Sequence, residues 1–258
     1  MQLNFADLWA YRELLYFLTW RDIKVRYKQT LMGAAWVIVQ PLLTMLIFTL
    51  VFTRFFKVEE GGVPYPLFAY SGLLLWTFFS ISITSGTTSL ITNTSLITKV
   101  YFPRLLAPLA ATLAPLIDLA IGLVVLAVLM AVDGVAASPA LLLVPVWVAS
   151  AVVVAFAAGT LLSALNVRYR DVGNAIAFLV QSWLFVSPVV FASGAVHGVA
   201  RVLLGANPVT GALDGMRWSL GGSPPAPVDL LSVGSTLVLL GAAVVYFQRV
   251  ERRFADVI

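Results

Sequence analysis

Apolar residues form long uninterrupted runs along this chain, and short clusters of charged residues separate them. A helix needs about 20 mostly apolar residues to cross a bilayer core of roughly 30 Å. Because backbone polar groups in lipid must be satisfied internally, such runs indicate helices and not strands. Six runs are long enough, at about 31–53, 66–91, 105–132, 140–165, 172–192 and 230–247. The pattern predicts an all-α integral membrane protein with six transmembrane helices in a single domain over 1–258.

The segment at about 8–28 is too polar to span and predicts an amphipathic helix at the cytoplasmic interface. Four apolar residues fall on one face of that helix: Tyr11, Leu14, Leu15 and Leu18. Further along it, Arg21, Lys24 and Lys28 cluster, so that their side chains can reach lipid headgroups.

Between the fifth and sixth runs, about 196–222 holds two short apolar pieces. Asn207 and Pro208 suit the N-cap and first position of a helix, and Gly221–Gly222 suits its end. We expect a short re-entrant or interfacial helical hairpin on the outer face. A plain loop is the alternative.

Charge gives the orientation of the spans. With six crossings, 12 of the 16 Lys and Arg residues fall on the side that carries both termini. Cytoplasmic loops of membrane proteins carry the excess of Lys and Arg, so we expect both termini in the cytoplasm.

Composition agrees with the membrane class. The chain is 60% hydrophobic and 11% charged, whereas a soluble domain carries about a quarter charged residues. Its net charge of +4 fits cytoplasmic loops better than a nucleic-acid surface. The absence of cysteine excludes disulfides and thiol chemistry, and the single histidine, His197, offers little for a metal.

Few residues suggest chemistry. No G-x-x-x-x-G-K-[ST] motif occurs, so this chain cannot bind ATP by a P-loop. Asp118 is the one acid within the spans, and it makes either a structural hydrogen bond to a neighbouring helix or a functional contact. Gln40 and Gln181 either line a polar path or bridge helices. We predict no catalytic, cofactor-binding or metal-binding residues.

Two runs of small or hydroxyl residues suggest close helix packing. The second span ends in SISITSGTTSLITNTS, whose hydroxyls either bond their own helix or line a pore. The fourth span carries a small-xxx-small ladder of Ala151, Ala155, Gly159 and Ser163, which lets two helices approach closely.

Four stretches resemble the membrane permease subunits of ABC-2 type exporters for polysaccharide and polyol phosphate, such as lipopolysaccharide O-antigen, capsule and teichoic acid. They are WRDIKVRYKQTLMGAAWVIVQPL, NTSLITKVYFPRLLAPLA, LNVRYRDV and NPVTGALDGMRWSLGG. The resemblance implies a homodimer bound to two copies of a separate ATPase subunit that holds ATP and Mg, which fits the missing P-loop. It also implies that the chain itself is not an enzyme.

The resemblance also implies site residues. Contacts that couple the ATPase would be Arg21, Lys24, Lys28, Lys99, Tyr101, Phe102, Pro103, Arg104, Arg168 and Arg170. Membrane anchoring is the alternative role for Lys99, Tyr101 and Arg104. The translocation path would be lined by Trp36, Gln40, Phe48, Phe52, Gln181 and Phe185. The outer gate would comprise Asn207, Pro208, Asp214, Arg217 and Trp218.

The implied function is export of a lipid-linked polysaccharide across the bacterial cytoplasmic membrane. An ABC-2 exporter of drugs or small lipids is the nearest alternative. A secondary transporter would show inverted repeats or paired intramembrane charges, and the sequence shows neither. A membrane enzyme would need a cluster of acids or histidines at one face.

Overall fold

The structure is a computed structural model that describes residues 9–28, 33–52 and 63–251. Within those ranges the regular elements are helices, and no strand is present. The α-helices longer than one turn are α1 (Arg12–Lys28), α2 (Gly33–Val51), α3 (Tyr65–Thr92), α4 (Leu106–Leu113), α5 (Leu116–Val132), α6 (Val144–Arg168), α7 (Asp171–Val186), α8 (Val199–Ala206), α9 (Thr210–Ser219) and α10 (Leu230–Glu251). The all-α prediction is confirmed for this part of the chain.

Among the described residues, four helical stretches are long and apolar enough to cross a membrane, as expected of a multi-pass protein. They are Tyr65–Thr92, Leu106–Val132, Pro139–Arg168 and Pro227–Glu251. The other two predicted spans correspond to α2 and α7, which are shorter apolar helices in the described residues. The predicted ends of the first span at about 31 and 53 lie outside the described residues.

Prolines set several helix ends. Helix α7 stops at Val186, before the predicted limit of about 192, and Ser187 is extended (φ −107°, ψ 147°). The ring of Pro188 disfavours the helical conformation at the residue before it, which explains the early end. Pro115 separates α4 from α5, so the predicted third span is a broken helix.

Helix α3 is the centre of the main core. It packs against α2, α4, α5, α6, α7 and α9. Within this core its largest fully buried side chains are Leu67, Tyr70, Leu75, Phe79 and Ile83. Because α3 is buried along most of its length by these neighbours, it forms the support for the surrounding helices.

The small-residue ladder of α6 packs closely against another helix, as predicted, and that helix is α3. Ala151, Ala155 and Ser163 are buried. A Cβ atom at Gly86 would lie only 3.1 Å from the Cα atom of Gly159. The two glycines therefore allow the closest approach of the two backbones.

A second core closes one end of the bundle. It contains Leu18 from α1, Phe102 from the segment between α3 and α4, Val167 from α6 and Phe247 from α10. Tyr11, Leu14 and Leu15 pack against the same cluster. Three cation-rich parts of the sequence therefore meet at this end: α1, the 93–105 segment and the 166–171 turn.

Apolar side chains also lie on the opposite face of α1. Tyr16, Phe17 and Trp20 are exposed in the isolated chain, and the rings of Tyr16 and Trp20 stack with their centres 6.5 Å apart. One face of α1 therefore contacts protein, and the other presents aromatic rings of the kind that occupy membrane interfaces.

The segment between α7 and α10 folds into the helices α8 and α9. Helix α9 begins at Thr210 and not at Pro208, because Asn207 ends α8: its N–H donates to Leu204 O at 3.1 Å. The Asn207 Oδ1 atom then accepts from the Val209 N–H at 3.3 Å. Gly221 follows α9 with φ of 99°, a conformation that favours glycine and ends the helix.

Candidate translocation path and coupling surface

The exposed basic face of α1 carries the first set of predicted coupling residues. Arg21, Lys24 and Lys28 are all exposed. Arg21 pairs with Asp22 at 2.7 Å, and the Lys24 Nζ atom lies 5.5 Å from the centre of the Trp20 ring. These cations form a surface that a partner or a headgroup can reach.

The structure divides the predicted residues of the 99–104 segment. Lys99 is exposed and Tyr101 is 68% exposed. Phe102 is only 4% exposed and lies within the second core. Arg104 donates to the backbone carbonyl of Glu251, and Pro103 is half-buried. Tyr101 and Lys99 are therefore available to a partner, whereas Phe102 and Arg104 anchor the segment to its own chain.

The turn between α6 and α7 presents Arg168 and Arg170, which are both exposed. Asn166 fixes this turn, because its Nδ2 donates to Thr87 O at 3.0 Å and its Oδ1 accepts from the Gly173 N–H at 2.8 Å. Asn166 thus joins α6, α3 and α7. Sequence reasoning missed it, although a polar residue in an otherwise apolar helix end was a usable signal.

Asp118 faces α1. Its carboxylate forms an ion pair with Arg26 and accepts a hydrogen bond from the hydroxyl of Tyr27. The structural hydrogen bond to a neighbouring helix is therefore present, and a cation joins it. Burial, and then the bond to Asp118, raise the pKa of the Tyr27 hydroxyl, which stays protonated. Neither Arg26 nor Tyr27 stood among the predicted site residues.

A cavity of about 230 Å³ lies beside this group, between α1, α2, α3 and α5. Trp36 and Gln40, both predicted to line the path, form part of its wall. Arg26 and Asp118 line it as well. The structure thus places two predicted path residues next to a partly buried ion pair.

The other predicted path residues lie elsewhere in the chain. The ring centres of Phe48 and Phe52 lie 6.0 Å apart, and the Phe52 ring stacks on Tyr65 at the start of α3. Gln181 and Phe185 are exposed on α7, Phe185 by 70%. A single copy of the chain therefore does not gather the predicted residues around one channel.

At the other end of the bundle, Arg217 is buried and binds three elements together. Its Nη1 donates to Pro188 O at 2.7 Å and its Nη2 to Val189 O at 2.6 Å. Its guanidinium carbon lies 3.5 Å from the centre of the Phe68 ring on α3. Arg217 thus holds α9 against the residues that follow α7 and against the first turn of α3.

Two acids accompany this arginine. Asp214 Oδ1 lies 3.5 Å from Arg217 Nη1. Burial raises the pKa of the Asp214 carboxyl, and the nearby charge of Arg217 opposes that rise. Arg201 pairs with Asp229 at 2.7 Å, which joins α8 to the start of α10. Sequence reasoning did not single out the Arg201–Asp229 pair.

Two of the remaining predicted gate residues, Asn207 and Trp218, contact α7 and α6. Asn207 accepts from Trp183 Nε1 at 3.2 Å and donates to Ser187 Oγ at 2.9 Å. Trp218 is half-buried, with its ring centre 6.4 Å from that of Trp147. Pro208 is half-buried between α8 and α9. His197 is exposed, and no group of three metal-binding side chains occurs among the residues that the structure describes.

Comparison with known proteins decides the family. A family profile described as ABC-2 type transporter matches residues 13–220. The chain belongs to the ABC-2 type transporter family. The matched region of this ABC-2 chain runs from α1 to the end of α9, and it includes both the basic end and the α8–α9 segment.

Relatives of this ABC-2 chain align over almost its whole length. The O-antigen export system permease protein RfbA of Myxococcus xanthus is 28% identical over 255 residues, which is 97% of each chain. Two proteins of the same name from Klebsiella pneumoniae are 27% and 25% identical and cover 95% of each chain.

Proposed function

We propose that this chain is the permease subunit of an ATP-driven exporter that moves a lipid-linked polysaccharide across the bacterial cytoplasmic membrane. One observation carries the proposal: three relatives named as O-antigen export permeases align with 95% or more of the chain. Alignment from end to end favours the same kind of task over a shared domain in an unrelated protein.

The proposed topology has six crossings, with α2 and α7 as the first and fifth. Both termini lie in the cytoplasm, because the cation-rich segments meet at the second core. Helix α1 lies on the cytoplasmic surface, and α8 and α9 form a re-entrant hairpin at the outer face. Supporting this last point, Arg217 and Asn207 attach the hairpin to membrane helices.

In the proposed assembly, two copies of this chain bind two copies of an ABC ATPase, which holds ATP and Mg. The contact surface consists of exposed residues at the basic end: Arg21, Lys24, Lys28, Lys99, Tyr101, Arg168 and Arg170. The buried Phe102 and the bonded Arg104 make the loop stiff. A stiff loop transmits movement of the ATPase to α3 and α4.

The path forms between two copies of the chain. Helix α7 exposes Phe178, Gln181 and Phe185, and α2 exposes Trp36 and Gln40. Exposed aromatic and amide groups on these helices suit a hydrated, sugar-bearing chain better than they suit contact with lipid alone.

Export in cells tests this proposal. The chain is expressed with its ABC ATPase in a strain that makes O-antigen but lacks its own permease. We expect O-antigen to reach the cell surface, as measured by surface labelling, and to fail to do so when the ATPase carries a Walker A Lys→Ala change. Transport by the purified chain in liposomes without any ATPase would contradict the proposal.

A further inference from the structure

The hydroxyl-rich end of α3 lines a second cavity, of about 430 Å³, between α1, α3 and the end of α4. That volume falls within the roughly 300–1,000 Å³ that small-molecule sites occupy. The α3 side of this cavity is formed by Ser85, Thr88, Ser89, Thr92 and Asn93. The α1 side carries Arg21, Asp22 and Arg26. The cavity therefore has hydroxyl groups on one wall and guanidinium groups on the other.

This cavity and the one beside Trp36 share Arg26 as a wall. One face of α3 lines both, since the lining residues follow one another at spacings of three or four. In the first cavity they are Leu74, Thr77, Phe78 and Ile81, and the second continues with Ser85, Thr88 and Thr92. The combined groove is thus apolar along the middle of α3 and polar towards its end.

The polar part offers acceptors to a ligand. Thr88 and Thr92 donate their hydroxyl hydrogens to carbonyls of their own helix, at 3.3 and 3.0 Å, so their oxygens can still accept. Asn93 is buried and donates through Nδ2 to Ser89 O at 2.7 Å. Its Oδ1 has no hydrogen-bond partner in the described ranges. Sugar hydroxyls are the donors that such a wall suits.

The junction between the two parts offers donors. Arg21 donates hydrogen bonds to Asp22 Oδ1 from Nε at 3.0 Å and from Nη2 at 2.7 Å, which leaves its Nη1 to donate to a ligand. Arg26 donates from Nη1 to the Asp118 carboxylate, which leaves its Nε and Nη2 to donate to a ligand. The two acids hold these guanidiniums in place and offset part of their charge, while Lys24 and Lys28 add positive charge on the same helix. Planar guanidinium groups are well suited to bind phosphate.

We propose that this two-part groove binds the head of the lipid-linked glycan, an inference that rests on the proposed function. The lipid enters the apolar part, the phosphate contacts Arg21 and Arg26, and the first sugar contacts the hydroxyls of α3. An ordinary phospholipid shares the phosphate chemistry. The row of acceptors beyond the arginines favours the polyhydroxylated head.

Binding to the full chain in detergent tests the groove, with native mass spectrometry as the readout. The probes are farnesyl diphosphate bearing one N-acetylglucosamine, farnesyl diphosphate alone, and dioleoylphosphatidylglycerol. The test variant is Thr88→Val with Thr92→Val. The matched control is Thr84→Val, since Thr84 donates to Ser80 O at 2.8 Å in the same helix but lines neither cavity.

We expect the double valine variant to bind the sugar-bearing probe about tenfold more weakly, because two acceptors are lost. Its affinity for farnesyl diphosphate should stay unchanged, and Thr84→Val should match the wild type throughout. Arg21→Gln should weaken both diphosphate probes. These results together would support the groove as the site of the glycan head.

Two outcomes would overturn the proposal. The first is wild-type affinity of the double valine variant for the sugar-bearing probe. The second is equally tight binding of phosphatidylglycerol, which would make the groove a site for bulk lipid. Export of O-antigen by the wild-type chain is measured in parallel, so that failure of the groove proposal can be told apart from failure of the proposed function. If export is intact and either outcome is found, only the groove proposal is overturned. If the wild-type chain does not export O-antigen, the proposed function itself is contradicted.

Discussion

Arg26 of α1 and Asp118 of α5, which are 92 residues apart in the sequence, form an ion pair that joins the two helices. The carboxylate is almost buried and the guanidinium is partly exposed. Tyr27 donates a second hydrogen bond to the same carboxylate. The pair therefore fixes the end of α1 to α5, next to the cavity that Trp36 lines.

Replacing both members of this pair should destabilise the protein by less than the two single replacements added together. Asp118→Asn leaves Arg26 without its counter-ion, and we expect a loss of about 1–3 kcal/mol. Arg26→Gln together with Asp118→Asn should lose less than the sum of the single changes. Thermal unfolding of the detergent-purified chain measures these differences. Additive losses would show that the two side chains do not interact.

The close contact between Gly86 and Gly159 predicts that a side chain added at Gly86 destabilises the protein. Gly86→Ala places a Cβ atom 3.1 Å from the Cα atom of Gly159, so α3 and α6 must separate. We expect a loss of about 1–3 kcal/mol from this overpacking. The control is Gly234→Ala in α10, where a Cβ atom would meet nothing within 4 Å. Unfolding in detergent should distinguish the two, and equal stability would contradict the prediction.

The positions of the helices could be predicted from the sequence because lipid forces every crossing backbone into a helix. The ladder on α6 likewise predicted close packing, since small residues at i and i+4 lie on one face. The partner glycine on α3 could not be predicted, because that choice depends on how the helices are arranged in space.

The candidate site was less predictable. Phe102 looks like a surface aromatic in the sequence, yet it fills the second core. Arg26 looks like one more cation of the basic run, yet it turns towards Asp118. In both cases the preceding residue, Tyr101 or Val25, is exposed. The helical phase and the contact with distant segments decide which side chain is buried.

Arg217 should be irreplaceable by lysine. A lysine has a single ammonium group and cannot reproduce the fork that binds Pro188 O and Val189 O together. We expect Arg217→Lys to lose about 2–4 kcal/mol, since a buried charge would lose partners. Arg168→Lys, at an exposed position, is the control and should be neutral. Limited proteolysis between α7 and α8 gives a local readout, and unchanged cleavage of the Arg217 variant would refute the clamp.

Neighbouring aromatic residues in the 99–104 segment should respond in opposite ways. Tyr101→Ala removes an exposed ring and should leave stability within about 0.5 kcal/mol of the wild type. In a complex with the ATPase, it should weaken the partner's binding, because Tyr101 lies on the proposed contact surface. Phe102→Ala removes a buried ring and should lose about 3–5 kcal/mol, even without the ATPase.

Two measurements on each single variant separate these effects: unfolding of the chain alone, and pull-down of the ATPase from co-expressing cells. Tyr16→Ala, an exposed tyrosine of α1 that lies outside the proposed contact surface, serves as the control for loss of a surface ring. A Tyr101 variant that unfolds early would place its ring in the fold. One that is stable and still retains the ATPase as well as the wild type does would exclude Tyr101 from the contact surface, and the basic face of α1 would then have to supply the binding.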